Sequence, residues 1–212
     1  HLVTRSQDHL PEHPAGQGKP DHTNNGGLTM NEYNEKEIIA LLQDPARQRE
    51  AFESIVTEYS QQLYWQIRHL VLSHEDANDI LQNTFLKAWL NIDYFRAEAK
   101  MSTWLYRIAL NECLTFMNRK HANNQLSIDE ADTEVLNQLE GDTYFDGDEG
   151  QKTLLRAVQQ LPEKQQIIFN LKYFKDMKYE EISEILGTSI GALKASYHHA
   201  VKKIEQFLEK HL

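Results

Sequence analysis

The sequence predicts an all-α fold: two small helical domains joined by an acidic flexible linker, the C-terminal domain carrying a helix-turn-helix. Three observations point there. Apolar residues recur at three- and four-residue spacing from Glu35 to about His121 and again from residue 151 onward, and no alternating strand pattern competes. Residues 125–150 hold nine acidic side chains and no lysine or arginine, a composition that repels itself and forms no core. Near the C-terminus, Gly187 separates two amphipathic stretches at the spacing of a helical turn motif.

Residues 1–29 contain three of the five prolines and four of the ten histidines without any hydrophobic period, and read as a disordered tail or an expression remnant. The first domain, 30–121, opens with a long helix on which Phe52, Ile55, Val56, Tyr59, Leu63, Ile67, Leu70 and Val71 lie near one face. A second helix starts after Ser73, whose spacing to Asp76 fits an acidic form of the capping box, and turns Ala77, Ile80, Leu81, Thr84, Phe85, Ala88 and Trp89 inward. A third follows the loop from Phe95 to Lys100, with Trp104, Leu105, Ile108, Ala109 and Leu114 as its apolar stripe and Tyr106 off that stripe. Short connections between these helices imply a bundle. Residues 122–150 form the linker. In the second domain, 151–212, Leu154, Leu155, Val158 and Leu161 mark a helix that stops at Pro162, and Ile167, Ile168, Leu171, Tyr173 and Phe174 mark the next. Tyr179 to Leu186 and Ile190 to Leu208 complete it, with Thr188 and Ser189 as capping candidates between them.

Composition narrows the function. The 212 residues are 40% hydrophobic and 25% charged, enough to bury a core. No apolar run nears the roughly 20 residues of a membrane helix, and the N-terminal stretch lacks a signal-peptide layout, which predicts a cytoplasmic protein without direct membrane insertion. The single cysteine, Cys113, excludes an internal disulfide and every cysteine-rich zinc framework; its simplest state is a small buried side chain. No glycine-rich phosphate loop, acid–base pair or nucleophile constellation is present, so neither cofactor, small-molecule substrate nor catalytic residue is expected. Net charge is −10, yet residues 151–212 carry ten basic against seven acidic side chains, which keeps nucleic acid open as a partner.

A recognition helix needs a buried stripe, here Leu193, Tyr197, Ala200, Ile204 and Leu208, so that its outer residues reach the DNA major groove. Lys194, Ser196, His198, His199, Lys202 and Lys203 are left outside; the plainer alternative is an exposed helix of an ordinary bundle. His198 and His199 point about 100° apart and do not make a metal site. His69 and His74, with Glu75, Asp76 and Asp79 nearby, read as solvent-facing. Arg96, Lys100, Arg107, Arg119 and Lys120 interleave with Trp104 and Tyr106, a pattern suited to single-stranded nucleic acid, although Trp104 also fits a core stripe.

Three motifs stand together in one chain: Asp76-Ala-Asn-Asp-Ile-Leu-Gln-Asn-Thr-Phe-Leu-Lys-Ala-Trp89; Phe95-Arg96 with Ser102-Thr-Trp-Leu-Tyr-Arg-Ile-Ala109; and Leu161-Pro-Glu-Lys-Gln-Gln166 with Tyr179-Glu-Glu-Ile-Ser-Glu-Ile-Leu-Gly187. Together they resemble the extracytoplasmic-function (ECF) group of bacterial RNA polymerase sigma factors, over about residues 35–210. The resemblance implies a transcription initiation factor without catalytic residues of its own. Its partners would be core RNA polymerase, through the β′ clamp helices and the β flap, promoter DNA and, as for many members, an anti-sigma protein. Asp76, Asp79, Gln82 and Asn83 would face the clamp helices. Phe95, Arg96, Lys100, Ser102, Trp104, Tyr106, Arg107, Arg119 and Lys120 would capture and melt the minus-ten element. Thr188, Ser189, Lys194, Ser196, His198, His199 and Lys202 would read the minus-thirty-five element.

The chain departs from the family pattern at Asn83, where an acidic residue is common, at Ser196, His199 and Val201, where arginine is usual, and at Lys100 and Met101. A stand-alone helix-turn-helix regulator is the alternative, but it has no reason to carry residues 76–107. The linker is read as a solvated spacer, or as a nucleic-acid mimic that covers a basic surface until core polymerase separates the domains. In the second case, changing Asp129, Asp132, Asp142, Asp146 and Asp148 to Asn tightens DNA binding by the free protein.

Overall fold

A computed structural model of the chain describes residues 33–123, 133, 135–137, 139, 141 and 148–211. The expected tail at 1–29 and the linker carboxylates Asp129, Asp132, Asp142 and Asp146 lie outside the described residues. Among those described, every regular element is helical, as the spacing predicts. They form two compact units that meet in sequence between Glu58 and Tyr59.

The unit ending at Glu58 holds α1 (Glu35–Leu42) and the start of α2 (Gln48–Val71). Asn34 caps α1 by accepting from the Lys36 amide at 3.1 Å. Asp44 and Pro45 then break the chain: Asp44 accepts from the Ala46 amide at 3.0 Å, a local turn before α2 restarts. Ile38, Leu42, Ala51 and Ile55 are the buried face. The periodicity alone does not separate α1 from α2, but the Asp-Pro pair marks the boundary.

In the unit starting at Tyr59, α2 runs on to Val71. Helix α3 (His74–Leu90) begins at Ser73, whose hydroxyl accepts from the Asp76 amide at 3.2 Å, as the capping pattern predicts. A 3₁₀ turn (Ile92–Tyr94) and a loop lead to α4 (Met101–Asn123), which packs on α3. Helix α5 (Glu149–Gln159) is capped by Asp148, which accepts from the Gln151 amide at 2.8 Å, so the last acidic residues of the expected linker open a helix. Pro162 starts α6 (Glu163–Phe169), which continues into a turn of π-helix (Asn170–Phe174); then come α7 (Tyr179–Leu186) and α8 (Ile190–His211). Leu154, Val158, Leu161, Phe169, Ala200, Ile204 and Leu208 form the C-terminal core. Buried Gln166 donates to the carbonyls of Gln159 and Leu161 at 3.0 and 2.9 Å, capping the end of α5 from within.

A few residues inside the expected linker are described. Residues 133, 135–137 and 139 are helical, and Leu139 is 1% exposed among Leu72, Val135, Leu155 and Phe174. Val135 and Leu136 are half-buried and Leu139 is buried, so apolar contact holds this turn of helix within an acidic stretch.

Candidate nucleic-acid and partner interfaces

On α3, the buried residues Ala77, Ile80, Thr84 and Ala88 define the inner face. At ~100° per residue, Asp79, Gln82 and Asn83 fall on the opposite face, where all three are exposed; Asp76, in the first turn, is half-buried. Leu86 and Leu90 share that outer face and are 56% and 67% exposed, with Tyr94 at 75% just beyond. Sequence reasoning missed these three. The signal was there: two leucines fall off the inner stripe of an otherwise regular helix. A Lys87–Glu112 ion pair ties α3 to α4 beside this face.

Around α4 the structure reverses the expected roles of two aromatics. The buried stripe is Met101, Leu105, Tyr106, Ala109, Leu110, Cys113 and Met117, on the far side of the helix from Trp104. Tyr106 is therefore not free. It is 4% exposed and its hydroxyl donates to Gln62 Oε1 at 3.1 Å. Burial pushes its phenol up to about 12. Trp104 is half-buried and lies against Phe95, at 5.1 Å between ring centroids and 47° between planes. Arg96 and Lys100 are exposed in the loop and Ser102 half-buried at the start of α4; Arg107 and Arg119 are exposed along it and Lys120 half-buried. Aromatic rings beside cationic side chains can hold an unpaired base and its phosphate.

The helix-turn-helix is formed as the sequence predicts. Gly187 adopts φ 64° and ψ 23°, a left-handed conformation that costs other residues energy, and its amide donates to the Ser183 carbonyl at 2.8 Å. Ser189 caps α8 by accepting from the Ala192 amide at 3.3 Å, and Thr188 is half-buried beside it. Lys194, His198, His199, Lys202 and Lys203 are exposed on α8, Ser196 is half-buried, and Leu193, Ala200, Val201, Ile204 and Leu208 are buried. Tyr197, expected inside, is only half-buried, and Val201 takes part in the stripe instead.

Contacts also join the α2–α4 elements to the C-terminal elements. Arg107 donates to the Glu184 carbonyl on α7 at 2.6 Å. Lys175 lies 5.5 Å from the centre of the Tyr106 ring, and burial pushes its ammonium down from the usual lysine range. His69, expected to face solvent, stacks on Phe174 at 4.3 Å and 6°, and Gln159 donates to the Leu70 carbonyl at 3.0 Å. His74 is likewise engaged, with Nδ1 2.7 Å from the Tyr64 hydroxyl and Nε2 3.0 Å from the Asn78 amide nitrogen. These two histidines sit in contacts rather than in water because each lies at a helix end that another element covers. Among the described residues, no group of three or more His, Cys, Asp or Glu side chains could hold a metal ion, and no helix is long and apolar enough to cross a membrane.

Residues 55–122 match the family Sigma-70 region 2 and residues 151–204 match Sigma-70 region 4. The chain is 31% identical over 168 residues to the ECF RNA polymerase sigma factor SigW of Bacillus subtilis (strain 168), covering 76% of this chain and 90% of that protein. It belongs to the ECF sigma factors. Other relatives include the RNA polymerase sigma factor SigV of the same strain, 30% identical over 73% of this chain and 89% of that one, and the RNA polymerase sigma-H factor of Pseudomonas aeruginosa, 26% identical over 76% and 88%. The fold is also that of two solved structures. One is CnrH in complex with the cytosolic domain of CnrY (TM-score 0.59, 20% identity, 83% of this chain and 97% of that chain). The other is the sigma factor RpoE in complex with the anti-sigma factor NepR from Bartonella quintana (TM-score 0.57, 20% identity, 74% and 96%). This ECF factor is thus an alternative sigma factor that directs promoter-specific transcription, and the stand-alone regulator is not favoured.

Proposed function

We propose that this sigma factor divides its task between two regions, 30–121 for core polymerase and the minus-ten element, and 151–212 for the minus-thirty-five element. The observation that carries the first assignment is the outer face of α3, where exposed Asp79, Gln82 and Asn83 run beside exposed Leu86 and Leu90. Apolar side chains left in water beside hydrogen-bonding groups suit a helical partner, the β′ clamp helices. Phe95, Trp104, Arg96 and Lys100 supply a stacking pair and cations for the melted strand, with Ser102, Arg107, Arg119 and Lys120 along the same helix. Tyr106, buried against Gln62, falls out of this set. On α8, Lys194, Ser196, His198, His199 and Lys202, with Thr188 and Ser189 at its start, meet duplex DNA and, at its flank, the β flap.

Chemistry stays with the polymerase, so the factor has no catalytic residues, and it works in the cytoplasm beside the core enzyme. The two solved structures hold sigma factors with CnrY and with the anti-sigma factor NepR, which supports an anti-sigma protein as a further partner. The test is co-migration of the purified chain with cognate core RNA polymerase on a sizing column. Wild type co-migrates, and the Asp79→Ala, Gln82→Ala and Leu86→Asp variants, with unchanged circular dichroism, co-migrate less. Full co-migration of all three removes the α3 assignment.

A further inference from the structure

Lys194 occupies an unusual place on α8. It directly follows buried Leu193, at the edge of the buried stripe, while His199 and Lys202 are turned further from the core. Its ammonium lies 5.7 Å from the centre of the Tyr179 ring, within the range of a cation–π contact. Among the described residues it has no carboxylate or carbonyl partner. A second ammonium, that of Lys172, lies 5.2 Å from the same ring, but it is already engaged, by the Met177 carbonyl at 3.1 Å and the Asp176 carboxylate at 3.9 Å. The ring itself is braced: Tyr179 sits edge-on to Tyr197 at 6.5 Å, and Tyr197 stacks at 5.9 Å on Phe169, which is fully buried.

We propose that Tyr179 is a positioning residue for DNA binding, its ring holding the Lys194 ammonium at the edge of the recognition helix for a backbone phosphate. This rests on the reading of α8 as the helix that meets duplex DNA. A lysine side chain loses most of its rotamer freedom when it pairs with phosphate, and a ring that already restrains it removes part of that loss. An aromatic face does this without neutralising the charge, as a carboxylate would. The edge position suits this task, because phosphates flank the major groove while base edges lie at its floor.

The test uses the full chain bound to its core polymerase and a duplex promoter fragment from which that holoenzyme initiates, titrated over salt. Tyr179→Leu weakens binding roughly two- to fivefold, the size of an exposed cation–π contact, while Tyr179→Phe, which keeps the ring, binds like wild type. Lys194→Ala weakens binding and flattens the logarithmic salt slope by about one. In the Lys194→Ala background, Tyr179→Leu adds nothing. Full additivity of the two changes, or equal loss in Tyr179→Phe, overturns the positioning role while leaving α8 as the DNA-binding helix. An unchanged affinity and salt slope in Lys194→Ala overturns the phosphate contact itself and with it the role of Tyr179. Should Tyr179→Leu not fold, the NMR shifts of the Lys194 ε-methylene protons in the wild-type chain decide: an upfield ring-current shift is expected, and random-coil values refute the contact.

Discussion

Cys113 and Tyr106 share the buried stripe of α4, and both are held in their neutral forms. Burial, with a smaller contribution from the Glu112 charge, pushes the Cys113 thiol up to about 12, and burial pushes the Tyr106 phenol to about 12. A group whose pKa is raised by folding contributes stability below its unfolded value and loses it as pH climbs through the folded value. The fold should therefore hold its stability to about pH 9 and lose it progressively between about pH 9 and 12. Urea denaturation across that range checks this, and Tyr106→Phe should flatten the upper part of the loss. The same burial makes Cys113 a poor nucleophile, since the thiolate is the reactive form. In the native protein a thiol reagent should leave it unmodified, and labelling should follow global unfolding. The sequence already favoured a buried Cys113. It placed Tyr106 in solvent because it assumed Trp104 belonged to the stripe.

Helix ends are the elements most legible in the chain, since caps depend on a few neighbouring residues. Ser73 closes the start of α3 through one hydrogen bond, so Ser73→Ala should cost about 1 kcal/mol in chemical denaturation. Gly187 is a sharper case. A Cβ there meets nothing within 4 Å, so Gly187→Ala is opposed by backbone conformation alone and should cost about 1–2 kcal/mol. A loss well above that range would mean that the turn between α7 and α8 rearranges. The π-helical turn at Asn170–Phe174 had no such local signature. It presents Tyr173 and Phe174 to the C-terminal core, a choice made by packing.

Across the whole molecule, contacts between distant segments decide how the linker behaves. A charge-held linker loosens as salt rises, because exposed charges are screened within about 8–10 Å. Leu139 in its apolar seat among Leu72, Leu155 and Phe174 is not screened. Limited proteolysis of residues near 139 should therefore be insensitive to salt in the wild type and rise sharply in Leu139→Asp, which introduces an unpaired charge into that seat. Salt-driven cleavage of the wild type would restore the electrostatic account. Arg107 engages the Glu184 carbonyl through one of its five N–H groups, which leaves the others for a phosphate. Arg107→Ala should weaken promoter melting by the holoenzyme, which permanganate reactivity of the unpaired thymines reads.

The sequence by itself determined the helical class, the capped start of α3, the Gly187 turn and the motifs that mark the family. Each of these rests on residues a few positions apart, whose hydrogen bonds and backbone preferences act locally. Only the tertiary structure decided which face of α4 is buried, whether His69 and His74 meet water, and where the linker docks. Helix α4 carries apolar residues on more than one face, so its period leaves the phase open until Gln62, Lys175 and the neighbouring helices choose Tyr106 over Trp104. Leu139 looks like one apolar residue in an acidic spacer until Leu72 and Phe174, far away along the chain, form the surface that buries it. Burial depends on what folding brings alongside, and that information is spread over the whole chain.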